Sequence, residues 1–132
     1  MPVLTRPNTE ASPALALEAA RAASDKKATD PVILDVGNVL AICDYFVIAS
    51  APNDRQVRAI CEAIEERVKK VSGESPRAIE GLDDARWVLM DYGDFWVHVF
   101  RDDVREFYDL ERLWSDAPRL PFVDPAAGAA TG

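Results

Sequence analysis

The side chains able to do chemistry in this 132-residue chain are few and scattered. Its one histidine, His98, lies between Val97 and Val99. A lone His in an apolar strand is more often a hydrogen-bonded core residue than a general base. Cys43 and Cys61 form no CxxC pair and have no clustered His beside them. They read as small buried hydrophobes rather than zinc ligands or a disulfide. Ser50 follows Ala49 without the GxSxG elbow that presents a nucleophile. Asp91 and Asp94 are three apart across a turn, where capping the turn is a simpler role than holding a metal. No GxxxxGK or GxGxxG run is present to cradle phosphate. The expectation is no catalytic residue, no cofactor and no metal.

Recognition is the better reading of the densest stretch, Trp87 to Trp114. It holds all three Trp, two of the three Tyr, the single His and seven acidic residues. With no recognisable set of catalytic groups beside them, that combination favours a recognition surface over an active site. Two runs rich in Val, Trp and Phe meet at Asp91-Tyr92-Gly93-Asp94, where Gly supplies a positive φ for a turn. Along the first run, alternation puts Trp87, Leu89 and Asp91 on one face and Val88, Met90 and Tyr92 on the other. Pattern alone favours core packing for Trp87, as for most large aromatics.

These residues need elements to position them. Ser12-Pro13 predicts a helix start, with Leu15, Ala19, Ala22 and Ala23 on an apolar stripe running to about Lys27. Val32–Val36 reads as a strand, Gly37-Asn38 as a hairpin signal and Val39–Ile42 as its partner. Tyr45–Ser50 is a continuous apolar run, as in a central strand. Asn53 caps a helix with Gln56 reaching back, and Val57, Ile60, Cys61, Ile64, Val68 and Val71 recur at helical spacing up to Gly73. Arg77–Glu80, Arg86–Tyr92 and Phe95–Phe100 read as strands. Asp102-Asp103 opens a last helix that Pro118 closes, with most of Val104, Phe107, Tyr108, Leu110, Leu113 and Trp114 anchoring it to the sheet. The result is a single α/β domain over 12–120, with a mixed sheet of about five strands, between a flexible leader (1–11) and a disordered Pro/Ala/Gly tail (121–132).

Composition narrows the partners. A formal charge of −8 opposes binding to a phosphate backbone unless the 15 Lys and Arg cluster, and makes a basic protein the easier partner. Excess acid also serves solubility alone. The start lacks a secretory pattern and no apolar run reaches membrane-spanning length, so a cytoplasmic protein that binds no membrane is expected.

Two separated segments, Cys43–Val57 (CDYFVIASAPNDRQV) and the Trp87–Trp114 run, closely resemble the hallmarks of the ribosomal silencing factor family, RsfS or Iojap-like. The resemblance extends from about Leu15 to Pro118. It implies a non-enzymatic α/β domain, nucleotidyltransferase-like in fold, that binds ribosomal protein uL14 on the large ribosomal subunit. There it would block joining of the small subunit and repress translation. It also implies that Trp87, Asp91 and Tyr92 face uL14, reversing the core preference for Trp87. Peripheral ribosomal RNA contact and a homodimer are compatible with it. The alternative is a nucleotidyltransferase-like enzyme, active or degenerate. Such enzymes use a Gly-Ser motif and two acids one residue apart on one strand face; here Ala49-Ser50 replaces the first and the acids are three apart.

Overall fold

The computed structural model describes residues 13–38, 40 and 43–121. The expected leader, and the expected tail beyond Pro121, lie outside the described residues. Strands Thr29–Asp35 (β1), Tyr45–Ala51 (β2), Ala78–Glu80 (β3), Trp87–Asp91 (β4) and Phe95–Arg101 (β5) form one sheet in the order β1-β2-β5-β4-β3. β2 and β5 are parallel and the other neighbours antiparallel, so the sheet is mixed. With helices Ala14–Asp25 (α1), Asp54–Ser72 (α2), Asp102–Tyr108 (α3) and Leu110–Leu113 (α4), this is the expected single α/β domain.

Alternation divides each central strand between two cores. Val47, Ala49, Val88, Met90, Val97 and Val99 face α1 and α2. Phe46, Ile48 and Phe100 face the opposite side, where Leu110, Trp114 and Trp87 join them. α2 forms where its signals predict. The Asn53 side chain accepts from the Gln56 N–H at 2.9 Å, and Gly73 ends the helix at φ 79°. Gln56 does reach back, but its side-chain oxygen accepts from the Asn53 amide at 3.0 Å rather than from the backbone. Val57, Ile60, Cys61, Ile64 and Val68 are buried, whereas Val71, expected on the same stripe, is exposed. α1 packs against α2, and its buried residues are mostly alanines (Ala16, Ala19, Ala20, Ala22 and Ala23), whose small side chains permit close approach.

Two expectations need correction. β1 pairs with β2, not with a strand over Val39–Ile42; Leu40 lies outside any strand, and Val39, Ala41 and Ile42 lie outside the described residues. The C-terminal helix is two short helices. Asp109 adopts a left-handed conformation (φ 49°) that ends α3 and precedes α4. Apolar spacing is blind to such a break, because the pattern resumes after it.

Candidate partner-binding site

β4 shows its two faces in burial. Val88 and Met90 are buried, while Trp87, Leu89 and Asp91 are only partly buried. The face toward α1 and α2 is closed, and the face toward α3 is half open along β4 and at Trp96. Trp87 is held there from below and from the side. Its indole N–H donates to Nδ1 of His98 at 3.1 Å. Its ring lies 5.0 Å from Phe100 and 4.9 Å from Tyr108, centroid to centroid. His98 is 4% exposed and meets Phe46 edge-on at 4.6 Å. Burial pushes its pKa down to about 4, so at neutral pH the imidazole is uncharged and Nδ1 remains an acceptor. His98 is thus a hydrogen-bonded core residue, as its apolar neighbours suggest.

Asp91 shares the Trp87 face four residues along the strand, roughly 13 Å away. Its Oδ1 accepts from the Gly93 N–H at 2.8 Å, which shapes the turn together with Gly93 at φ 91°. The Asp94 carbonyl accepts from the Asp44 N–H at 2.7 Å. The Asp91 carboxylate therefore organises the turn, Asp94 ties its backbone to Asp44, and no group of three or more potential metal ligands occurs among the described residues.

Tyr92 is elsewhere. It is 5% exposed, belongs to the core facing α2, and stacks on Phe95 at 4.8 Å. Burial first, then the charge of Glu65, pushes its phenol above the ordinary range. The expectation that Trp87, Asp91 and Tyr92 share one exposed patch is corrected: strand alternation sends Tyr92 to the Met90 side, opposite Trp87.

Sequence reasoning missed Arg105. It is buried, donates to the Thr29 and Asp30 carbonyls at 2.8 and 2.9 Å and to the Ser50 hydroxyl at 2.9 Å, and pairs bidentately with Glu111. Ser50, also fully buried, serves this anchor. Nothing local marks an Arg for such a role, since its partners come from β1, β2 and α4. Most of the six large apolar residues of the last helix were expected to anchor it to the sheet, yet three of them, Phe107, Tyr108 and Leu113, are exposed. Only Leu110, Val104 and Trp114 of that set reach the core. An Asp after Tyr108, a residue tolerant of left-handed backbone, is the one local signal of the change of direction. Beside Trp87, a groove of about 390 Å³ is lined by Arg86, Arg101, Asp103, Val104, Phe107 and Tyr108. Arg101 grips Asp103 through two bonds at 2.6 and 2.9 Å, the main reason the Asp103 pKa is lowered.

A family model described as "Ribosomal silencing factor during starvation" matches residues 9–131. The chain belongs to the ribosomal silencing factor family. It is 45% identical over 100 residues to the ribosomal silencing factor RsfS of Bacillus subtilis, covering 76% of this chain and 84% of that protein. It is 34% identical over 113 residues to the chloroplastic Iojap protein of Arabidopsis thaliana, covering 84% of this chain and 47% of the plant protein. A crystal structure from Bacillus halodurans superposes with a TM-score of 0.72 at 36% identity, covering 84% of this chain and all of that one. One from Chromobacterium violaceum gives 0.73 at 30% identity, covering 77% and 84%. RsfS proteins are non-enzymatic, ribosome-associated factors. No helix among the described residues is long and apolar enough to cross a membrane.

Proposed function

We propose that this RsfS-family chain binds uL14 on the large ribosomal subunit and sterically blocks association with the small subunit, repressing translation in the cytoplasm. Membership of the family over residues 9–131 carries the reading. The half-open aromatic face of β4 supports it, because Trp87 is partly exposed and rigidly seated on His98 and Phe100. Trp87 and Asp91 make the direct contact with uL14, and Tyr92 contributes by fixing the turn from the buried side. A seated aromatic loses little freedom on binding, as expected of a hot spot.

Blocking requires occupancy and no chemistry. A folded chain of this length has a radius of gyration of ~14 Å, too thick for a closed subunit interface. A dissociation constant near micromolar already supplies about −8 kcal/mol. The charge of −8 speeds encounter with a basic ribosomal protein, so binding weakens as salt rises. The same charge confines any ribosomal RNA contact to the periphery, and a homodimer is compatible with blocking. Light scattering of purified subunits tests the reading: saturating protein should suppress association without added nucleotide. Unchanged association would refute it, and suppression only with nucleotide and Mg²⁺ would favour the nucleotidyltransferase-like alternative.

A further inference from the structure

The two edges of the sheet are treated differently. Outside β1, residues 118–120 lie antiparallel to it, with Leu34 bridged to Arg119. There the Asp35 N–H donates to the Pro118 carbonyl and the Leu120 N–H to the Ile33 carbonyl, both at 2.8 Å. β3 forms the opposite edge, and no described segment pairs with its outer side. An uncovered edge keeps backbone N–H and C=O groups available to another chain.

A groove of about 330 Å³ runs beside that edge, between β3 and α2. Cys61, Ile79 and Leu82 supply its apolar lining, Glu62, Glu65 and Asp83 its acids, and Arg58 its one cation. The Arg58 guanidinium is already committed, donating to the Leu82 and Asp83 carbonyls at 3.3 and 2.6 Å. Charges at the ends leave the balance as it is. Arg55 and Lys69 along α2 stand against Glu74 and Asp84 in the adjoining loops, and Arg77 stands against Glu80 around β3. The Tyr92 hydroxyl is buried on the same side of the sheet and has no hydrogen-bond partner among the described residues. Burial raises its pKa, and Glu65 and Cys61 are close enough to add to that rise.

We propose that this groove binds an extended basic segment of another protein, its backbone along the β3 edge and a lysine or arginine side chain against Glu62 and Glu65. The site is separate from the one given under Proposed function, because Ile79 packs on the α1–α2 side of the sheet and Trp87 on the other. Length agrees. Arg58 to Glu65 covers roughly 10 Å of helix axis, the reach of about three extended residues. β3 has three. A cationic head group at the Glu65 end also brings a donor toward the Tyr92 hydroxyl. Nucleic acid is a poor occupant, since its phosphates would meet the carboxylates. A second copy pairing edge to edge would bring two acid-lined grooves together.

The experiment uses the full chain and, as probe, a fluorescein-labelled peptide of about four Lys-Thr repeats, read by fluorescence anisotropy. The Glu62→Gln, Glu65→Gln double variant should bind it about tenfold or more weakly. The Glu106→Gln, Asp116→Asn double variant removes the same charge from exposed positions on other elements and should bind like the parent. Melting temperatures of both should match the parent, since none of the four carboxylates is buried. Equal losses in the two double variants would reduce the binding to net charge and overturn the proposal. Parent-like affinity for the peptide with acetylated lysines would overturn it by removing the need for a cation. Unchanged affinity for peptides methylated at alternate backbone nitrogens, in both patterns, would overturn the strand pairing. Failure of the parent chain to bind the probe would overturn it outright.

Discussion

The indole N–H of Trp87 donates to Nδ1 of His98 at 3.1 Å, joining a partly exposed side chain of β4 to a buried ring of β5. The bond is diagonal in the ladder, since Trp87 pairs with Phe100 and Leu89 with His98. It exists only while the imidazole is neutral, because a protonated Nδ1 has no lone pair to offer.

Stability should therefore depend on pH through His98. Its folded pKa is about 4, against 6.5 for the free side chain. Above pH 6.5 neither state binds the proton and the full stability is present. As pH falls from there toward 4, the unfolded chain takes up a proton that the native state refuses, so stability drops by about 3 kcal/mol. His98→Asn keeps an acceptor for Trp87 and removes the titration. Urea unfolding between about pH 4 and pH 7.5 should show a shallower slope for the variant than for the parent; equal slopes would exclude this origin.

Trp87→Ala should weaken large-subunit binding by about 2 kcal/mol or more if Trp87 is a hot spot. Trp87→Phe keeps a ring against Phe100 and Tyr108 but abandons the His98 acceptor, which should cost about 1 kcal/mol of stability. Titration calorimetry and thermal melting separate the two effects. Wild-type affinity in a Trp87→Ala protein with native circular dichroism would remove Trp87 from the interface.

For Tyr92 the expectation runs the other way. Its hydroxyl is buried and has no hydrogen-bond partner among the described residues. Tyr92→Phe should leave stability unchanged or raise it by about 1 kcal/mol, since a buried unpaired polar group is costly. Subunit binding should be unaffected. A weakened complex from this variant would show that the hydroxyl reaches the partner directly.

Arg105→Met removes a guanidinium that serves two carbonyls, one hydroxyl and one carboxylate at once, and leaves Glu111 without it. About 3–5 kcal/mol of stability should be lost. Arg105→Lys should not rescue it, because an ammonium cannot match the planar fork. Denaturant midpoints give the comparison, and near-parental stability in either variant would contradict the anchor role.

Gly81 and Gly73 both have positive φ, 86° and 79°, yet they should respond differently to Ala. A Cβ at Gly81 would clash with the Trp87 carbonyl oxygen, whereas one at Gly73 meets nothing within 4 Å. Gly73→Ala should cost about 1 kcal/mol, from left-handed strain alone. Gly81→Ala adds a clash with β4 and should cost at least about 3 kcal/mol. Similar melting temperatures for the two variants would refute the close approach.

Where physics is local, the sequence was readable. Asn53, the apolar spacing and Gly73 delimit α2, and alternation alone assigns each residue from Trp87 to Tyr92 to its observed face. The one error on that strand, an exposed Tyr92, came from treating three residues as one patch against the alternation. The remaining misses depend on distant chain. Arg105 is buried because carbonyls 75 and 76 residues away accept hydrogen bonds from its guanidinium. The partner of β1 is decided by the whole sheet, and the turn at Gly37-Asn38 says only that the chain bends there. Phe107 and Leu113 carry apolar side chains at helical spacing, so nothing in their types distinguishes an anchoring face from one left for a partner.

β5 is the last strand in the chain and the middle strand of the sheet. Before residues 95–101 have been synthesised, β1–β2 and β3–β4 can pair only among themselves, each leaving an open edge. The β2–β5 register then joins Tyr45 to Phe95 across 50 residues, a long closure that delays completion of the sheet. A nascent or truncated chain ending before Phe95 is therefore two unjoined ribbons, exposed to edge-to-edge aggregation. His98 and Phe100 arrive with that final strand, so the seat beneath Trp87 exists only once the fold has closed.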